Sequence, residues 1–156
     1  MDTTTHGAFS WNELSTSDPK AAIEFYTKLF GWTTEVMHPG GMDYTVIKAG
    51  EKPIGGVMGL PRPGCPVTWT GYVTVDNIDE TAKLAESLGG KVIVPPMDIP
   101  EVGRLAVLAD PQGAGIAAIT YLKQEAATQA GRPELCAVEL SARKPGPDNN
   151  WDWNYR

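Results

Sequence analysis

The strongest constraint in this chain is a repeat. One strand, one helix and three strands follow one another twice, with an offset of about 59 residues. Shifted by that offset, Leu14 falls on Val73, Thr16 on Val75, Phe25 on Leu84, Leu29 on Leu88 and Gly31 on Gly90. A βαβββ unit is too small to bury its own sheet, so two copies must pack against each other. The expected architecture is α+β. Two βαβββ modules, about 8–60 and 68–121, form a curled mixed β-sheet around a cavity, with the helices outside. Together they make a single domain over 1–121.

The elements follow from local chemistry. Residues 8–16 alternate as a strand does. Asp18 can cap a helix and Pro19 suits its first turn. Ala22, Phe25, Tyr26 and Leu29 then give the helix over 18–30 one apolar face, and Gly31 stops it. Extended stretches are expected at Trp32 to His38, Met42 to Ala49 and Pro53 to Leu60. PRPGCP at 61–66 reads as a linker. The second copy has a strand over 68–75 and a helix opened by Asp76-Asn77. Ile78, Ala82, Ala85 and Leu88 share that helix's apolar face, and Gly89-Gly90 end it. Strands are expected at Lys91 to Pro95, Arg104 to Ala109 and Ala114 to Tyr121. The 17 glycines and 13 prolines fall mostly at the joints of this pattern.

Charge and patterning exclude several classes. The net charge is −6 and the densest basic stretch, Arg143-Lys144, is two residues long. A general nucleic-acid binder would show a basic stripe instead. No apolar run reaches the roughly 18 residues of a membrane span. The first residues carry no basic region and no apolar stretch, unlike a secretory leader. Cys65 and Cys136 are too far apart for a zinc ribbon, and free thiols suggest a cytoplasmic protein.

Several motifs then occur in order: Trp11-Asn-Glu-Leu14, Asp18-Pro19, Phe25-Tyr26 and Leu29-Phe30-Gly31-Trp32. After them come Trp69-x-x-Tyr72-Val-x-Val75-Asp76, Pro96 through Gly103-Arg104, and Asp110-Pro111-Gln112-Gly113-Ala114. Over 8–121 this resembles the vicinal oxygen chelate superfamily. That group includes glyoxalase I, bleomycin-binding resistance proteins, fosfomycin-modifying enzymes, methylmalonyl epimerase and extradiol dioxygenases. The fold hosts unrelated chemistries, so the resemblance implies the architecture more firmly than the reaction.

Metal-dependent members of that superfamily hold a divalent ion through four positions, usually His, Glu or Gln. Carried onto this chain, the first position falls on Trp11 and the second within 54–60, IGGVMGL. The third falls on Thr70 and the fourth on Ala117. Thr70 offers only a weak hydroxyl. A slip of one residue at the first position would offer Asn12 or Ser10, and a slip of two would offer Glu13. No metal or other cofactor is therefore expected.

What remains is the cavity. Alternation turns Glu13 and Ser15 inward with Trp11, and Thr70, Tyr72 and Thr74 inward on the partner strand. Trp11, Thr70, Tyr72, Thr74 and Ala117 are candidate ligand contacts. Arg104 is a candidate for the rim, where it would pair with an anionic ligand; the alternative is a surface arginine or one paired with Glu101. Glu13 is the candidate catalytic residue, because a desolvated carboxyl can act as general acid or base. The alternative is that it is a structural carboxyl bonded to Tyr72 or to backbone. Trp11 fills the lost metal site or stacks on a ligand. His6 and His38 lack ligand-spaced partners.

The favoured function is metal-independent binding of a small organic molecule, of the bleomycin-resistance type, by a homodimer. The alternatives are a metal-free isomerase, lyase or cyclase using Glu13, and a metal-dependent lyase or dioxygenase with displaced ligands. Residues 122–156 form a C-terminal extension. Trp151, Trp153 and Tyr155 there would dock on the cavity or on a partner subunit, or belong to a loose tail.

Overall fold

The computed structural model describes residues 5–38 and 43–122. Pro39-Gly40-Gly41, residues 134–140 with Cys136, and the aromatic end of the chain lie outside the described residues. Eight strands form one mixed sheet in the order β2-β3-β4-β1-β5-β8-β7-β6. They are β1 (Phe9–Thr16), β2 (Thr33–Met37), β3 (Tyr44–Ala49), β4 (Lys52–Gly59), β5 (Thr68–Thr74), β6 (Lys91–Ile99), β7 (Gly103–Ala109) and β8 (Gly115–Tyr121). The helices are α1 (Pro19–Phe30) and α2 (Ile78–Ser87).

The strand order reads the same when the modules are exchanged. Within each module the first strand runs parallel to the fourth, and the two modules meet through antiparallel β1 and β5. Asn12 pairs with Gly71, its own equivalent under the offset of 59, while Trp11 pairs with Tyr72 and Glu13 with Thr70. A pseudo-twofold axis therefore passes through the Asn12–Gly71 pair. This is how two units that cannot bury their own sheets share one.

The caps are those the sequence implies. Asp18 Oδ1 accepts from Ala21 N at 3.0 Å, and Gly31 ends α1 with φ 67°. That left-handed value is why glycine is needed there. Asn77 Oδ1 caps α2 by accepting from Asp79 N and Glu80 N at 3.0 and 3.2 Å. Asp110 Oδ1 closes the β7–β8 turn through Gln112 N and Ala114 N.

The structure departs from the sequence reading in three places. β6 continues through Pro95 and Pro96 to Ile99. It is an edge strand with register shifts between Val92 and Val94 and between Val94 and Met97, where missing N–H donors are tolerated. In α1 the packed residues are Ala22, Ile23 and Tyr26, whereas Phe25 and Leu29 are exposed. In α2 Ile78, Ala82 and Ala85 pack as expected, but Leu88 is exposed at the C-cap.

Three clusters form the core. Leu14, Ile47 and Val57 meet α1. Val75, Ile78, Ala82, Ala106, Leu108 and Ala118 join α2 to the sheet. The third cluster fills the side away from both helices. It gathers Trp11, Tyr44, Val46, Met58, Tyr72, Ile99, Val102, Leu105, Ala117 and Ile119 from both modules.

Candidate functional site

Strand register brings most of the expected site residues onto one face. Trp11 and Tyr72 are paired across β1 and β5, and Tyr72 pairs in turn with Ala117 of β8. Glu13 pairs with Thr70, and Thr74 with Ile119. Trp11, Tyr72, Thr74 and Ala117 are buried, while Glu13, Ser15 and Thr70 keep partial exposure. Side chains from both modules pack the face expected to line a cavity.

Arg104 is the exception. Its neighbour Leu105 belongs to the helix-free cluster, so Arg104 projects toward α2. It donates twice to Asp79 at 2.9 and 3.0 Å and once to Asp98 at 3.0 Å, with no bond to Glu101. The guanidinium holds the Asp79 carboxyl below its usual range, chiefly by hydrogen bonding. Arg104 joins helix to sheet on the side opposite Glu13. Parity along β7 opposes a place at the rim.

At the centre is a chain of polar groups. Trp11 Nε1 donates to Tyr44 Oη at 3.0 Å, and Tyr44 Oη donates to Glu13 Oε2 at 3.1 Å. Tyr72 Oη donates to Glu13 Oε1 at 2.8 Å. Nearby, Tyr121 Oη donates to the fully buried Ser10 Oγ at 3.1 Å. The sequence reading anticipated the Glu13–Tyr72 bond but missed Tyr44, Ser10 and Tyr121. Tyr44 lies on β3, two strands from β1, and reaches Glu13 by crossing Gly56 of β4. A Cβ at 56 would overlap the Tyr44 hydroxyl and ring. A tyrosine whose strand pairs with a Gly-Gly strand was the available signal.

Desolvation pushes the Glu13 carboxyl above the usual glutamate range, against the two tyrosine hydrogen bonds that pull it down. Burial, and then the Glu13 charge, push Tyr44 and Tyr72 well up, so both remain neutral donors. The arrangement can hold a proton on a carboxyl beside an aromatic surface.

This raised carboxyl has a consequence for stability. In the unfolded chain Glu13 ionises around its ordinary 4.5. In the fold it keeps its proton to higher pH, so the native state binds more protons between the two values. Wild-type stability should therefore fall as pH rises from 4.5 to the folded pKa, by at most about 1.4 kcal/mol per pH unit. Denaturant unfolding of Glu13→Gln across this range should lack that component. Parallel pH profiles for the two proteins would contradict the assignment.

The four positions the resemblance assigns to a divalent ion do not suit one. Trp11 presents an indole, Thr70 a hydroxyl and Ala117 a methyl. The residues of 54–60 on this face are Gly56 and Met58. Both oxygens of the nearby Glu13 carboxyl accept from tyrosines. Among the described residues, no three His, Cys, Asp or Glu side chains come together to hold an ion. His6 and His38 each lie beside one aspartate, Asp76 and Asp43, on the surface.

The model of the glyoxalase/bleomycin resistance protein/dioxygenase superfamily matches residues 8–117, spanning both modules. The chain belongs to that superfamily. The vicinal oxygen chelate fold inferred from the motifs is therefore the right one. Among curated relatives of this glyoxalase-superfamily chain is CFP32 of Mycobacterium tuberculosis, provisionally named a glyoxylase. It is 49% identical over 109 residues, covering 69% of this chain and 42% of that protein. The anthracycline biosynthesis protein DnrV of Streptomyces peucetius is 37% identical over 142 residues, covering 81% of this chain and 52% of that protein. The chain thus spans about half the length of the curated relatives it matches. Methylmalonyl-CoA epimerase from Mycobacterium tuberculosis has a TM-score of 0.55 at 13% identity, over 79% of this chain and 94% of that one. At that identity the likeness concerns the fold. Among the described residues, no helix is long and apolar enough to cross a membrane.

Proposed function

We propose that this protein is a metal-independent binding protein for a small, flat organic molecule, held on the helix-free face of the sheet. The observation that carries this reading is the Trp11–Tyr44–Glu13–Tyr72 chain, standing where the fold's metal-dependent members would place an ion. Its groups satisfy one another, and the Trp11, Tyr44 and Tyr72 rings are buried. The partly exposed Thr70 hydroxyl supplies a polar contact, and Trp11, Tyr72, Thr74 and Ala117 support the surface from beneath. Arg104 is not part of this site. A relative named for anthracycline biosynthesis favours a conjugated, polycyclic ligand class.

A second reading rests on the raised Glu13 carboxyl. A proton held there could be passed to or from a carbon beside a carbonyl, as in a metal-free isomerase, lyase or cyclase. A homodimer that completes the binding face between two copies of the chain belongs to the same proposal. Sparse, widely spaced cysteines support a cytoplasmic location.

Titration with a hydroxyanthraquinone panel, read by tryptophan quenching and by mass spectrometry of the recovered compound, tests the binding reading. We expect saturable binding that weakens about tenfold or more in Thr70→Val, with the compound recovered unchanged. Turnover that disappears in Glu13→Gln would move the protein to the second reading. Binding untouched by Thr70→Val would remove the ligand from this face.

A further inference from the structure

The two modules use their helices unequally. α2 buries Ile78 and Ala82 against the sheet, whereas α1 buries none of its residues. Phe25 and Phe30 are more than half exposed. Beside α1 the rings of Tyr26, Phe30, Trp32 and Trp69 form a continuous cluster, with centroids 4.9 to 6.2 Å apart. Next to it lies a cavity of about 220 Å³ lined by Asn12, Trp32, Ile47, Ile54 and Trp69. Asn12 alternates with Trp11 and Glu13 along β1, so this cavity is on the opposite side of the sheet from the site above.

The polar chemistry of the cavity is narrow. Asn12 Nδ2 donates to the Ile54 carbonyl at 3.4 Å. A carbonyl can only accept, so this partner fixes the orientation of the amide and leaves Oδ1 as an acceptor. None of the hydrogen bonds formed by the described residues engages Oδ1. Trp69 spends its own donor on Tyr26 Oη at 3.0 Å, so it offers the cavity carbon surface. Trp32 and Trp69 meet at 81°, one face and one edge, the geometry a third aromatic ring can extend. Gly55, across β4 from Asn12, adds no side chain to the floor. A Cβ there would run into the Asn12 backbone carbonyl oxygen.

We propose that this trough is a second binding site, for a planar aromatic N–H compound of one or two rings. The ring packs between Trp32 and Trp69 over Ile47 and Ile54, and its N–H donates to Asn12 Oδ1. The volume is at the small end for a ligand site and suits a compound of one or two rings. The site shares no lining side chain with the Glu13 face, so the two proposals stand or fall separately.

Two-dimensional NMR titration of the full chain with indole and with 1-methylindole tests it. The expected result is saturable movement of the Trp32 and Trp69 indole signals and of the Asn12 side-chain amide, with Trp11 still. 1-Methylindole, lacking the donor, should bind about tenfold more weakly, and Asn12→Ala should abolish that difference. Equal affinity for the two probes overturns the proposal, as does movement centred on Trp11. Absence of saturable binding also overturns it, including the case in which a second copy or residues 123–156 cover the trough.

Discussion

Tyr44→Ala is expected to be the most damaging single substitution in the molecule, costing about 3–5 kcal/mol. Tyr44 is 1% exposed and packs in the cluster that joins the two modules. Its removal leaves a ring-sized void. It also strips the Trp11 indole of its acceptor and Glu13 Oε2 of its donor. Tyr44→Phe keeps the ring and loses only the hydroxyl, so about 1–3 kcal/mol is expected. Denaturant unfolding curves separate the two effects. A Tyr44→Ala variant within about 1 kcal/mol of wild type would mean that the packed centre does not hold the modules together.

Gly56→Val is the second large effect, and its cause is the reverse. There is no space at 56, because the Tyr44 ring lies across the glycine. An added side chain must push Tyr44 aside, which overpacks the core and breaks the polar chain. About 3 kcal/mol is expected, at the upper end for overpacking. The diagnostic is coupling. In a Tyr44→Ala background the obstructing ring is gone, so Gly56→Val should cost much less, with an interaction energy of about 1–3 kcal/mol. Strict additivity would show that the glycine is required for some reason other than Tyr44.

The fold was legible because its signals are local and occur twice. Asp18, Gly31 and Asn77 mark helix ends by chemistry that needs no tertiary contact. The offset of 59 carried the module symmetry, and strand alternation put Glu13 and Tyr72 on one face. Tyr44 was hidden because its partners are 31 and 33 residues away, and the crossing over Gly56 depends on which strand lies beside which. The contacts of Arg104 with Asp79 and Asp98 were hidden because they depend on strand parity and on where α2 packs. Phe25 and Leu29 show the limit of periodicity. It marks an apolar face but not whether anything in the chain covers it.

The account rests on a binding face that works without a metal ion. Calorimetric titration of the EDTA-treated chain with a hydroxyanthraquinone that quenches its tryptophans tests this most directly. Zn²⁺, Ni²⁺ or Mn²⁺ is then added and the titration repeated. The account predicts one ligand per site with the same affinity before and after metal. Binding that appears only after metal is restored would contradict it.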